Sequence, residues 1–297
     1  MAGLARDVAG GAASDSTQGV ARSTAENGAN GPAANASARP ADRFSWPKGA
    51  RAAVSLAYDD ALDSQLDYAL PVLDRHGIRA TFYLQLSNPS VARRMDDWRA
   101  ASRRGHELGN HSLFHQCAGS KPDRAWVEPH RDLDTVSPAQ MRDQVLLANT
   151  MLTALDGRQE RTYTAPCGDT QASGRDYLPA LHPAFVAIKA GNGNAVADAM
   201  ERMDPFAVPV AAPVGLSGAQ LIAIVKDAIQ RGTMVNFTFH GIGGDYLTIS
   251  AQAHEELVRF LADNRQLVWT DTFVDIMRHV RREQARVRPT PPSRGTP

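Results

Sequence analysis

A chain of 297 residues can form one large domain or two modest ones, and 43% hydrophobic content allows a sizeable core. Lys plus Arg equals Asp plus Glu at 32 each, so no net field draws the chain to nucleic acid or to an anionic membrane surface. No apolar run approaches the roughly 20 residues that span a bilayer, and two cysteines cannot build a disulfide framework.

Residues 1–42 are mostly Ala, Gly, Ser, Asn, Thr and Asp. They hold too few large apolar side chains to offset the entropy of ordering, which predicts a disordered or linker segment. They also lack the apolar stretch of a signal peptide, and read either as a linker exposed after processing or as a start placed too far upstream. Order is expected to begin at Phe44-Ser45-Trp46-Pro47. Arg51–Tyr58 reads as the first strand, followed by a helical segment with Leu66, Leu70 and Leu73 on one face and Pro71 kinking or restarting it. Arg79–Leu86 is a second strand, Val91–Arg104 an amphipathic helix closed by Gly105, and His106–Asn110 a third strand.

Gln116–Pro138 has no period and contains three prolines, a long loop of the kind that usually serves function. A helix with Met141, Val145, Ala148, Leu152 and Leu155 on one stripe ends at Gly157. Strands follow at Arg161–Pro166, Phe185–Ala190, Phe206–Val210, Thr233–His240 and Gln266–Thr270. Ser217 with Gln220 forms a capping box, Ser250 caps the helix that carries Leu257 and Leu261, and Phe273–Val280 is the last helix. The tail from Arg281 is rich in Arg and Pro.

Strand and helix alternate about eight times, which implies a parallel sheet with crossover helices. About 240 residues in one such series suits an α/β single domain folded as a closed or nearly closed (β/α) barrel over residues 44–283, with 284–297 as a flexible tail. An open doubly wound sheet is the alternative. Gly241-Ile242-Gly243-Gly244 follows a strand, but no helix starts there, so a phosphate loop is not expected.

Three strand ends carry the polar residues of interest. Ser55-Leu56-Ala57-Tyr58 runs into Asp59-Asp60, His106–Asn110 is followed by His111 and His115, and Val235–Phe239 ends in His240. Taken alone, Asp59-Asp60 suits a polar strand end or a helix cap as well as a site, and a His-x3-His pair is common by chance. At the C-terminal ends of strands of one sheet, however, they lie where α/β folds place their chemistry. Imidazole and carboxylate together suit zinc or a similar divalent metal. A catalytic zinc needs three protein ligands and an open position, which His111, His115 and one of the two aspartates supply, leaving the other aspartate free as a base.

Tyr58-Asp59-Asp60, then His111-Ser112-Leu113-Phe114-His115, then a histidine ending a strand, resembles the polysaccharide deacetylase family of the NodB-homology type, carbohydrate esterase family 4. The resemblance covers about residues 44–280. It implies a distorted (β/α) barrel and a metal-dependent hydrolase that removes acetyl groups from a carbohydrate. It implies Asp60, His111 and His115 as ligands of a divalent metal, zinc foremost, with Asp59 as catalytic base and His240 as general acid. The Pro166-Cys167-Gly168 turn matches one whose backbone N–H helps to bind an oxyanion, here the N–H of Cys167. Two departures stand out: Thr164 where the family often has an arginine that tethers the catalytic aspartate, and Cys167 where an aromatic ring is usual. Arg161 and Lys189 are candidates to replace the arginine. No Gly-x-Ser-x-Gly points to a serine nucleophile instead.

The expected partner is an acetylated carbohydrate. Trp126 and Tyr246 lie in loops at the expected top face, where they suit either sugar stacking or loop packing, while Trp269 is read as core. Asp271 suits capping of the last helix better than orienting His240. His76, His106, His130, His182, His254 and His279 have no motif context. Two other functions compete: hydrolysis of a non-peptide C–N bond in a small molecule, and a catalytically silent carbohydrate-binding protein of the same fold. Cys117 and Cys167 lie in loops at one end of the barrel, and a disulfide is favoured over a thiolate metal ligand or two free thiols. That bridge requires an oxidising compartment, as glycan chemistry outside the cytoplasm would provide.

Overall fold

The computed structural model describes residues 43–191 and 196–287. The expected disordered segment, residues 1–42, and the last ten residues of the expected tail lie outside that range. In chain order the strands are β1 (Ala52–Asp59), β2 (Thr81–Leu84), β3 (Glu107–Asn110), β4 (Thr162–Thr164), the hairpin β5 (Gln171–Ala172) and β6 (Arg175–Asp176), β7 (Ala187–Gly191), β8 (Val208–Pro209), β9 (Met234–Phe239) and β10 (Val268–Thr270). The helices are α1 (Leu70–Arg75), α2 (Pro89–Arg93), α3 (Met95–Arg103), α4 (Pro138–Asp156), α5 (Gly218–Arg231), α6 (Ala251–Asp263) and α7 (Phe273–Val287).

The pairing order β1-β2-β3-β4-β7-β8 is parallel throughout, and β9 returns to pair with β1 over Ala53–Tyr58. Between β8 and β9 the ring is bridged at Ala211, whose N–H donates to Asn236 O at 2.9 Å and whose carbonyl accepts from Thr238 N at 2.8 Å. The result is a nearly closed, distorted (β/α) barrel of seven strands. The eighth parallel strand, β10, pairs with β1 only at Ala52–Val54, below the point where β2 joins at Ala57–Asp59.

Side-chain alternation sorts the layers. Val54, Leu56 and Tyr58 of β1 face outward with Phe82, Leu108, Val235, Phe237 and Phe239, and bury against Leu73, Trp98, Leu152, Val225 and Leu257 on the surrounding helices. Each such fully buried side chain contributes about 1.5–3 kcal/mol relative to exposure. Ala53, Ala57, Tyr83 and Met234 face inward, and α7 closes the N-terminal mouth with Phe273, Ile276, Met277 and Val280 beside Trp46. Helix α7 continues to Val287, seven residues past the expected end, because its buried face extends to Gln284, whose amide donates to the carbonyls of Met200 and Met203.

One further difference from expectation has a local cause. The segment expected as one helix over Val91–Arg104 is two, α2 and α3, broken at Arg94 (φ −119°). Asn88 starts α2 by accepting from Ser90 N at 2.9 Å. The Leu66–Leu73 helix is restarted at Pro71 as expected, through a π-helical turn over Gln65–Ala69. The expected capping box at Ser217 and Gln220 is present, and Ser137 with Gln140 forms a second one at α4.

Candidate active site

Because the barrel strands are parallel, their C-terminal ends share one mouth, and a pocket of about 1030 Å³ opens there. Asp59, Asp60, His111, His115, His240, Cys167, Thr164 and Lys189 all line it. Strict alternation would send Asp60 to the outer layer, opposite Asp59. The chain avoids this by turning left-handed at Asp60 (φ 79°) and Ala61 (φ 60°), a conformation aspartate tolerates better than most residues. Asn88 Nδ2 holds the turn by donating to Asp60 O at 2.9 Å. Gln65 Nε2 donates to Asp59 O at 2.5 Å and to His240 O at 3.2 Å, joining the ends of β1 and β9.

His111 and His115 lie on a loop rather than a helix. Asn110 Oδ1 accepts from Ser112 N at 2.8 Å and Ser112 Oγ accepts from His115 N at 3.0 Å. Ser112 (φ 64°) and His115 (φ 53°) are both left-handed. This coiling turns both Nε2 atoms onto one carboxylate oxygen: Asp60 Oδ1 lies 3.0 Å from His111 Nε2 and 3.1 Å from His115 Nε2. The other oxygen, Oδ2, accepts from Tyr246 Oη at 2.8 Å and lies 3.8 Å from His240 Nε2.

Proton placement tests whether this set suits a cation. His111 Nδ1 lies 2.9 Å from Thr164 O, an acceptor, so Nδ1 carries the hydrogen and Nε2 of the neutral ring is a lone pair. That lone pair faces Asp60 Oδ1, which is buried with no hydrogen bond of good geometry. Two acceptors 3.0 Å apart require a positive charge between them, either a proton or a metal. Burial pushes the Asp60 carboxyl up, but the two imidazoles outweigh it and hold it well below the carboxylate range. Burial pushes His111 down, yet Asp60 and Asp59 carry it above the ordinary imidazole value. One ligand atom from each of Asp60, His111 and His115 falls within a 4.8 Å cluster. The residues fit a divalent cation, with the Thr164 carbonyl fixing the His111 tautomer as ligating imidazoles require.

Asp59 is held separately. Lys189 Nζ donates to its Oδ1 at 3.1 Å and Thr164 Oγ1 to its Oδ2 at 3.4 Å. Lys189 is fully buried, its ammonium 4.1 Å from the ring centroid of Tyr83, a cation–π contact in a desolvated interior. Gly109 makes room for that ring: a Cβ there would lie 2.5 Å from two of its carbons. Of the two cations considered for the missing arginine, Lys189 therefore touches Asp59. Arg161 does not; its guanidinium is spread over both Asp156 oxygens and the carbonyls of Leu108 and Arg158.

Cys117 and Cys167 are joined in a disulfide, with Cα atoms 5.9 Å apart. Two thiolate ligands beside His115 are thereby excluded. The bridge ties the loop after His115 to the Pro166-Cys167-Gly168 turn, where Cys167 is left-handed (φ 58°). Burial holds His240 below the ordinary imidazole value, with Asp60 and Asp59 only partly opposing it. The other histidines lie elsewhere; His106 and His254 are buried against Asp74 and Tyr58 respectively. Asp271 accepts from Thr272 N at 2.8 Å and pairs with Arg79 at 2.6 Å at the opposite mouth, so it is no partner of His240; nor is it the expected cap of α7, which is Thr272, whose Oγ1 accepts from Asp275 N at 3.3 Å. Trp269 is half-buried against His279, and Trp126 is 58% exposed at the pocket rim. Tyr246 is also 52% exposed, and its hydroxyl donates to Asp60 Oδ2.

Residues 47–182 match the family model described as polysaccharide deacetylase. A gellan lyase from Bacillus sp is 23% identical over 135 residues, 46% of this chain and 5% of the lyase, so this chain corresponds to a small part of that protein. Among solved structures, one from Mycobacterium smegmatis assigned to the polysaccharide deacetylases superposes with a TM-score of 0.59 at 16% identity, covering 86% of this chain and 97% of its own. A carbohydrate esterase family 4 pseudoenzyme from Bacillus anthracis gives a TM-score of 0.48 at 16% identity, covering 76% of this chain and 65% of its own. Residues 47–182, just under half of the chain, thus match the polysaccharide deacetylase model, and the barrel shares its fold with the structure from Mycobacterium smegmatis.

Proposed function

We propose that this protein is a metal-dependent hydrolase that removes acetyl groups from a carbohydrate. The observation that carries the reading is the convergence of His111 Nε2 and His115 Nε2 on the buried Asp60 Oδ1, beside an aspartate held by a different cation. Asp60, His111 and His115 would hold a divalent metal, zinc by the match of imidazole and carboxylate donors. Such a metal supplies Lewis acidity and brings the pKa of a bound water toward neutrality.

The chain's own groups have separable tasks. Asp59 takes up the proton of the attacking water as general base, with Lys189 and Thr164 fixing its carboxylate. The N–H of Cys167 stabilises the oxyanion as the acyl carbon becomes tetrahedral, a donor of a kind worth about 3 kcal/mol. His240 protonates the leaving amine or alcohol; held low by burial, it starts neutral near pH 7 and receives the proton that Asp59 took from the water, so both groups end the cycle as they began it. Trp126 and Tyr246 flank the open mouth and support a saccharide over a small enclosed substrate, since aromatic faces stack on sugar rings.

The test is acetate release from a panel of N-acetylated and O-acetylated oligosaccharides, with and without chelator and with metal added back. Release that stops with chelator and returns with zinc supports the reading. A panel that stays intact under every metal, while the protein retains stoichiometric metal, would overturn it.

A further inference from the structure

The long loop after His115 carries cations that the chemistry above does not use. Arg124 and Arg131 both line the pocket. Arg124 is largely withdrawn from solvent, its side chain 17% exposed. Its Nη2 reaches Cys167 O at 3.4 Å, and its Nη1 is buried without a hydrogen bond. The carboxylate nearest to it, Asp169, is already engaged. Asp169 Oδ1 takes Lys121 Nζ and Oδ2 takes Ala118 N at 2.8 Å, so Arg124 Nη1 makes only a 3.7 Å ion pair with Oδ2 of a carboxylate it shares with Lys121, and no hydrogen bond. Arg131 has one long contact, to Phe114 O at 3.5 Å.

A guanidinium kept from water with an unused donor costs stability unless something occupies that donor. Arg124 is also fixed in place. The disulfide anchors the loop at one end of its path, Asp132 accepts from Gly119 N and Asp134 N at 2.9 Å, and the guanidinium lies 5.8 Å from the Trp126 ring centroid. The pocket's own acids do not cancel this charge. Asp59 is paired with Lys189 and Asp60 with the two histidines. Glu128 stands at the rim with its side chain 65% exposed, beside His130, where solvent screens it.

We infer that Arg124, assisted by Arg131, binds a carboxylate on the substrate, so that the preferred substrate is an acidic glycan whose acylated sugar is, or adjoins, a carboxylated sugar. The planar fork of arginine matches a carboxylate by two parallel hydrogen bonds, and Trp126 offers a face to the ring that bears it. The inference rests on the proposed hydrolase for its reaction but not for its binding site.

Two measurements test it. The first compares kcat/KM on acetylated oligosaccharides with and without a uronic acid. The acidic series should lead by at least about tenfold at low salt, and the lead should shrink as salt rises. Arg124→Met should lose at least about tenfold more on the acidic series than on the neutral one, with Arg124→Lys intermediate and Arg131→Met smaller. The second is calorimetry of a fully deacetylated uronate-containing oligosaccharide, which needs no turnover. It should bind wild type more tightly than a neutral oligomer of equal length and lose that advantage in Arg124→Met. Equal binding of acidic and neutral oligomers by wild type, or equal losses on both in the variant, overturns the inference. Arg124-dependent binding without acetate release would leave it standing and remove the hydrolase; release from both series without preference would do the reverse.

Discussion

The two mouths of the barrel both bury charge, and they treat it differently. At the N-terminal mouth Glu107 is 1% exposed and fully engaged. It accepts from Thr81 Oγ1 at 2.8 Å, Thr162 Oγ1 at 2.6 Å and Val274 N at 2.9 Å, and Tyr83 Oη lies 2.7 Å from the same threonine oxygen. Arg161 uses both terminal nitrogens and leaves only Nε without a partner. At the C-terminal mouth Asp60 Oδ1 and Arg124 Nη1 are buried with no hydrogen bond, and His111 Nε2 points a lone pair at a carboxylate. Closed polar networks rigidify a fold. Buried groups with unused capacity that also line a pocket mark where something else can bind.

The sharpest way to break this contrast is at the two adjacent aspartates. Asp59→Asn should lower acetate release by about 10²–10⁴-fold with bound metal retained, because its carboxylate answers to Lys189 and not to the imidazoles. Asp60→Asn should lose both metal and activity. Elemental analysis beside the activity assay separates the two; equal metal loss in both variants would make Asp59 a ligand and leave the base unassigned.

The same contrast predicts how each mouth is held together. The C-terminal mouth depends on a covalent tie between Cys117 and Cys167, 50 residues apart in sequence. In the chain-entropy account, replacing both with alanine costs about 4 kcal/mol, roughly 8–16 °C of Tm for a domain of this size. Thermal melts of the double variant, with wild type under strong reductant as a second arm, read this directly. A melt unchanged in both arms would show that the loop is held without the bridge. At the N-terminal mouth Glu107→Leu strands three donors at once and should cost about 3 kcal/mol, with metal content retained. An equally large loss of metal would mean that the two mouths are not independent.

The convergence of the candidate residues at strand ends was legible because an apolar run that stops at an acid or imidazole is a local pattern. Asp59, Asp60, His111, His115 and His240 all belong to it. Lys189 could be named as a candidate but not chosen over Arg161, since its partner is 130 residues away and a lone strand lysine has no motif. The Thr164 carbonyl that sets the His111 tautomer is backbone, and the Tyr246 hydroxyl on Asp60 is a single loop residue; neither leaves a signal in sequence. The helix break at Arg94 carries no proline or glycine and is invisible to periodicity. The β5–β6 hairpin does carry a sequence signal: Ser173-Gly174, both with positive φ, is a two-residue hairpin turn between short flanks.

A partnerless buried atom is not by itself a site, and His254 gives the control. It lies on α6, outside the barrel, with Nε2 2.6 Å from Tyr58 Oη and Nδ1 buried without a partner. It lines no part of the active-site pocket, and Tyr58 and Phe239 pack around its ring. Burial pushes its pKa down to about 3, against about 6.5 for an exposed histidine. The folded state therefore holds the ring neutral while the unfolded chain binds a proton more readily. The stability this provides is present above about pH 6.5 and is lost as pH falls toward 3, at up to about 1.4 kcal/mol per pH unit. Between pH 6.5 and 5 the loss from this group is roughly 2 kcal/mol, about 4–8 °C of Tm. His254→Gln cannot take up the proton, so its Tm should fall less than that of wild type over the same interval, by that amount. Parallel Tm curves for the two proteins would place the acid sensitivity in other groups.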